Sequence, residues 1–166
     1  MTNGRPNIVI LGVGNVLMAD EGVGVHAVTA LENGYVWPDH VRCVDGGTST
    51  HELLDDLEDI DRLIVLDAVK AGKAPGSLVR LEGSAVPSAF QTKLSPHQTG
   101  IADLLATLTF LGKGPKDVLL LGVEPVRLEL DLNLSPEVEG RVAELGQQVL
   151  AELAAIGITP KARAVA

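Results

Sequence analysis

Residues 7–31 read NIVILGVGNVLMADEGVGVHAVTAL, and the change of period inside this stretch decides the fold class. Asn7 to Gly12 is a short, nearly continuous apolar run, the pattern of a strand covered on both faces. After a loop from Val13 to Asp20, Val23, His26, Ala27, Ala30 and Leu31 recur at helical spacing. Strand, loop and helix in this order make the first half of a crossover unit, so the next strand is expected to lie parallel to the first.

The rest of the chain repeats the theme. Val41 to Val44 reads as a second short strand, stopped by Asp45-Gly46-Gly47-Thr48 and followed by a short helical stretch around Leu53, Leu54 and Leu57. Leu63 to Leu66 is a third strand that ends at Asp67. Beyond the turn Ala74-Pro75-Gly76, the partly charged segment Ser77 to Glu82 reads as a fourth strand at a sheet edge. Ile101, Leu104, Leu105, Leu108 and Leu111 form a helical stripe, and Val118 to Val123 is another apolar strand. Ser135-Pro136 opens the last helix, whose buried face runs from Val138 to Ile156, and the tail after about residue 158 is expected to fray. The pattern predicts an α/β three-layer sandwich, with a mostly parallel sheet of about five strands and helices on both faces. Residues 1–166 contain no repeat or linker and read as a single domain.

Composition narrows the function. Hydrophobic residues make up 46% of the 166 residues but aromatics only 2%, so the core must be aliphatic. Thirteen Lys and Arg face twenty-two Asp and Glu, for a net charge of -9, and no basic run is present to follow a phosphate backbone. Nucleic acid is therefore not expected as a partner. A single cysteine, Cys43, rules out an intramolecular disulfide and a multi-cysteine zinc site. The polar segment Met1 to Asn7 lacks the layout of a signal peptide, and no apolar run approaches the roughly 20 residues that span a bilayer. A cytoplasmic protein away from membranes is expected.

In such sheets ligands gather at the carboxyl ends of the strands, where the strand order reverses. The loop Gly12-Val13-Gly14-Asn15-Val16-Leu17 opens like a dinucleotide-binding turn but has Leu17 where the third glycine belongs, and Asp20 and Glu21 would repel a pyrophosphate. These two carboxylates either compensate the following helix's dipole or divide the work, one capping and one facing the cleft. Gly22 and Gly24 beside them would allow a substrate chain to approach closely. Asp67 ends its strand as a cleft residue or a turn residue, and Asp45 either orients substrate or holds its turn. His97 sits in the loop Leu94-Ser95-Pro96-His97-Gln98-Thr99 before a helix, whereas His26, His40 and His51 have weaker settings. Glu21, Asp67 and His97 come from three loops that the fold brings to one sheet edge. One imidazole and two carboxylates suit a borderline divalent metal such as nickel or zinc and leave coordination positions open.

These residues resemble a known family. Gly12-Val13-Gly14-Asn15 with Asp20-Glu21-Gly22, Asp45-Gly46-Gly47-Thr48, Leu66-Asp67-Ala68, Ser95-Pro96-His97-Gln98 and Leu121-Gly122-Val123-Glu124-Pro125, in this order and spacing, are similar to the motifs of hydrogenase maturation proteases. Those proteases remove a C-terminal extension from the large subunit of nickel-iron hydrogenases. The resemblance implies that Glu21, Asp67 and His97 bind metal and carry the catalysis, that the metal is nickel already installed in the precursor, and that the large-subunit precursor is the partner. It leaves Asp45, Gly46, Gly47 and Thr48 as substrate contacts. Attack by a metal-positioned water and general-base catalysis by a carboxylate both fit these residue types. Two other readings compete: a nickel-binding accessory protein without peptidase activity, and a nucleotide-binding α/β enzyme.

Overall fold

The computed structural model describes residues 4–47, 53–86 and 96–164, and the side chains of all of these except residues 96–100. In chain order the elements are β1 (Ile8–Val13), a 3-10 turn (Ala19–Gly22), α1 (Val23–Gly34), β2 (Tyr35–Val36), β3 (Val41–Gly47) and α2 (Leu54–Leu57). They continue with β4 (Arg62–Ala68), β5 (Leu78–Glu82), α3 (Pro96–Phe110), β6 (Asp117–Val123), α4 (Pro136–Ala154) and β7 (Lys161–Ala162).

Five strands form one sheet in the order β3-β1-β4-β6-β5. β3, β1, β4 and β6 are parallel, and β5 lies antiparallel on the edge beside β6. The alternation of side chains along the central strands separates two apolar layers. Ile8, Ile10, Ile64, Leu66, Leu119 and Leu121 face α1 and α4, meeting Val28, Leu31, Val138 and Leu145. Val9, Leu11, Leu63, Val65 and Leu120 face the other way, onto Leu57, Ile101, Leu105 and Leu108. The three-layer sandwich expected from the pattern is the architecture observed, including the edge position of the fourth apolar segment.

Three local expectations need correction. β3 does not stop at Val44 but runs through Gly47; Gly12 pairs with Asp45 and Val13 with Gly47, so Gly46 is the extra residue of a bulge. The chain end is not simply frayed: Lys161 and Ala162 pair antiparallel with Val36 and Tyr35, and Arg163 N donates to Gly34 O at 2.9 Å. The glycines after Glu21 serve packing. A Cβ on Gly24 would lie 1.9 Å from Leu66 O and 2.7 Å from Val13 O, and one on Gly22 would lie 2.7 Å from Val16 Cα. These positions let the start of α1 rest directly on the sheet backbone.

Candidate functional site

The strand order reverses around β1. The chain leaves β1 for β3 on one side, crosses back to β4 on the other and continues outward to β6. The crevice this creates opens above the carboxyl ends of β1 and β4. Glu21 stands on the 3-10 turn that follows β1, and Asp67 is the penultimate residue of β4.

Asp67 is completely buried, and its Oδ1 accepts a hydrogen bond from Ala68 N at 2.8 Å. Leu63, Val65 and Val69 belong to the layer beneath α3, so alternation along the strand directs Asp67 to that same face. Across the ladder it pairs with Gly122, where a Cβ would come within 2.5 Å of Val69 Cγ2 and 2.8 Å of Asp67 O. The glycine of Leu121-Gly122-Val123 therefore gives the segment around Asp67 the room it occupies. Glu124, two residues on, is buried and holds the loop after β4: its Oε2 accepts from Ala71 N at 2.7 Å and its backbone pairs with Gly76 N and Ser77 O.

α3 brings the third candidate to this edge. Its far end is fixed at the amino edge of the sheet, where Lys113 O accepts from Asp59 N and Asp117 N donates to Asp61 O. Its 15 residues span about 22 Å at 1.5 Å per residue, matching about 23 Å for a seven-residue strand. The first turn of α3 thus returns to the carboxyl edge. That turn includes His97, because the helix begins at Pro96 rather than after the loop; proline fits the first helical position, where no N–H partner is needed. The imidazole itself lies outside the described side chains. Among the described residues, no group of three or more His, Cys, Asp and Glu is placed to hold a metal ion.

Asp20 has a structural task, and it is not the capping of α1. The N-cap of α1 is Gly22, with no side-chain bond. Asp20 is fully buried, and its carboxylate accepts four hydrogen bonds: from Val126 N (2.9 Å), Arg127 N (2.8 Å), Ser135 N (2.7 Å) and Ser135 Oγ (2.8 Å). It therefore ties the turn carrying Glu21 to the segment after β6 and to the start of α4, where a negative charge also complements the helix dipole. Ser135 is the N-cap of α4 by position, but its hydroxyl is committed to Asp20. Glu21 is left partly exposed beside the cleft, and Gly14, at φ 131°, lies under its carbonyl, where a Cβ would come within 1.9 Å.

Asp45 is exposed, and its Oδ1 accepts from Gly47 N at 2.9 Å, holding the turn at φ 47° for Gly47. Gly46 is buried against Leu11, Leu53 and Val13, and Gly47 O accepts from Gly14 N, so this stretch buttresses the first loop. Thr48 and His51 lie outside the described residues. His26 is exposed on α1, and His40 lies in the turn before β3. Burial, with Glu32 nearby, pushes the Cys43 thiol up to about 12, so it is not a thiolate nucleophile at neutral pH. Asp20 and Glu124 are structural residues that hold the loops around the cleft, and the signal for them in the sequence is membership of the motifs Asp20-Glu21-Gly22 and Leu121-Gly122-Val123-Glu124-Pro125.

The chain matches known proteins over most of its length. A family model described as hydrogenase maturation protease matches residues 25–152. The chain is 46% identical over 152 residues to the hydrogenase 2 maturation protease of Escherichia coli strain K12, across 91% of this chain and 93% of that one. It is 41% identical over 160 residues to the hydrogenase expression/formation protein HupD of Thiocapsa roseopersicina, across 95% and 72%. Among solved structures, the hydrogenase maturating endopeptidase HybD from E. coli superposes with a TM-score of 0.91 at 44% identity, covering 95% of this chain and 98% of that one. A Thermococcus kodakarensis relative at 24% identity and a TM-score of 0.72 shares the fold.

Proposed function

Because the chain belongs to the hydrogenase maturation protease family, we propose that it removes the C-terminal extension of a nickel-loaded hydrogenase large-subunit precursor, recognising the substrate's nickel through Glu21, Asp67 and His97. The observation that carries the reading is the placement of Glu21 and Asp67 at the carboxyl ends of the two strands flanking the order reversal, with the first turn of α3 at the same edge.

Asp67 enters this scheme fully buried, on a strand covered on both faces, with one carboxylate oxygen accepting from Ala68 N. Glu21, partly exposed on a turn pinned by Asp20, is the ligand that substrate reaches from solvent. His97 supplies the nitrogen donor from the α3 end. Holding the precursor through its nickel makes attack on the neighbouring peptide bond effectively intramolecular, and this positioning is the main catalytic contribution. Either a carboxylate takes the proton from the attacking water, in an aspartic-type route, or the substrate's metal lowers that water's pKa. Of the described residues 45–47, Asp45 is the exposed one, which leaves it accessible to the substrate chain. In this reading residues 1–166 work as one domain in the cytoplasm. Among the described residues, no helix is long and apolar enough to cross a membrane.

The test is the precursor's mass before and after incubation. Wild-type protein shortens nickel-loaded precursor by a defined C-terminal piece and leaves nickel-free precursor intact. Glu21→Gln, Asp67→Asn and His97→Ala each lower the rate at least 100-fold, a loss typical for removal of a catalytic group. Near wild-type rates for all three remove the site assignment, and equal cutting of nickel-free precursor removes the metal's role.

A further inference from the structure

The segment after β6 exposes large apolar side chains beside the turn that carries Glu21. Leu130 is 81% exposed, Leu132 67% and Leu17 53%, and Val16 beside Leu17 and Val126 at the start of the segment are also exposed. These residues are not on a loose loop. Met18 and Asp131 form a parallel bridge, in which Asp131 N donates to Leu17 O at 3.0 Å and Ala19 N to Asp131 O at 2.8 Å. The bridge sets Leu17 alongside Leu130 and Leu132. Arg127 pairs with Glu129 at 2.9 Å and with Asp131 at 3.0 Å, while Asp131 Oδ1 accepts from Asn133 N at 2.9 Å. The charged residues of the segment thus satisfy one another and leave the leucines to solvent.

The Asp20 carboxylate fixes this segment at both ends, at Val126–Arg127 and at Ser135. Asp20 directly precedes Glu21 on the same turn, so the residue that fixes the apolar surface also fixes the turn of Glu21. The occupant follows from continuity with the Glu21 turn: Glu21 N donates to Met18 O at 3.1 Å and Met18 bridges to Asp131, so an extended polypeptide held at Glu21, advancing about 3.3 Å per residue, reaches the leucines within a few residues. Clustered exposed apolar side chains of this kind mark interaction surfaces rather than ordinary solvated loops.

We infer that Leu17, Leu130 and Leu132 form the surface that receives apolar side chains of the precursor polypeptide next to the bond being cut. This rests on the peptidase reading above and adds to it the part of the chain that selects the substrate.

The experiment is titration calorimetry and steady-state cleavage of nickel-loaded precursor with full-length L130S/L132S and, separately, L17S. Their high exposure leaves the fold intact, and an unchanged thermal midpoint verifies this. The expected result for the double variant is a Kd and KM raised at least tenfold with kcat within twofold of wild type, the mark of lost binding that is uniform along the reaction. L17S shifts the same two quantities by a smaller factor. Kd and KM within twofold of wild type in both proteins overturn the inference. So does a change from dimer to monomer in sedimentation with precursor binding unaltered, since the surface then belongs to a second copy of this chain. Glu21→Gln separates the two readings: if it cuts normally the site assignment fails, while the effect of the leucines on Kd stands by itself.

Discussion

At the scale of single residues, Asp20 carries the heaviest structural burden. Its buried carboxylate satisfies three backbone N–H groups and one hydroxyl from two elements far away in sequence. Asn at this position turns an amide NH2 toward N–H donors and leaves at least one of them unsatisfied. Asp20→Asn is therefore expected to cost about 3 kcal/mol, measured as a lowered urea midpoint with unchanged slope. A change below about 0.5 kcal/mol means that the clamp is not formed in solution. The sequence presents the adjacent Asp20-Glu21 pair as either dipole compensation or a division between capping and the cleft, and Asp20 neither caps α1 nor stands in its first turn. The partners of Asp20 were not legible there, because Val126, Arg127 and Ser135 lie more than a hundred positions away and offer backbone atoms, which leave no mark on composition or spacing.

At the scale of elements, the seating of α1 on the sheet decides where Glu21 stands. Gly24 in the first turn of α1 packs its Cα against the carbonyl of Leu66, and Gly12 on β1 faces Gly24 O and Val28, where a Cβ would come within 2.4 Å of each. Gly24→Ala puts a methyl group 1.9 Å from a backbone oxygen that cannot rotate away. Overpacking of this kind costs about 3 kcal/mol, and it also lifts the helix that continues from the turn of Glu21. The variant is expected to show both a lowered thermal midpoint and, at a temperature where it is fully folded, a reduced cleavage rate; a wild-type midpoint would refute the close packing. The helix and strands of this unit were readable from their periods of 3.6 and 2. The role of the glycines was misread as room for substrate, since a glycine in sequence announces a close approach without naming the group that approaches. For the same reason the bulge at Gly46 looked like the end of a strand.

At the scale of the whole molecule, the amino edge of the sheet is held by charge, opposite the edge that carries the site. Glu152 near the end of α4 pairs with Arg80 on β5 and with Arg62 at the start of β4, and Arg80 also reaches Glu82 at 2.6 Å. The Arg80 hydrogen bond, followed by that from Arg62, holds the Glu152 carboxyl below its ordinary value. A depressed folded pKa stabilises the protein above the unfolded value and loses that contribution as pH falls through the folded one. Wild-type protein is thus expected to lose stability on acidification below about pH 4 more steeply than Glu152→Gln, as read from urea midpoints against pH. Parallel slopes for the two proteins would show that the ion pairs contribute nothing. The sequence by itself determined the α/β class, the parallel sheet with one charged edge strand, and the three residues worth testing, because hydrophobic period and strand-end position are local properties. Only the tertiary structure decided the order β3-β1-β4-β6-β5, the short β2-β7 pair, the clamp of Asp20 and the exposed leucines it presents. Those features depend on which distant backbone groups meet, and that is fixed by packing two apolar layers against one sheet.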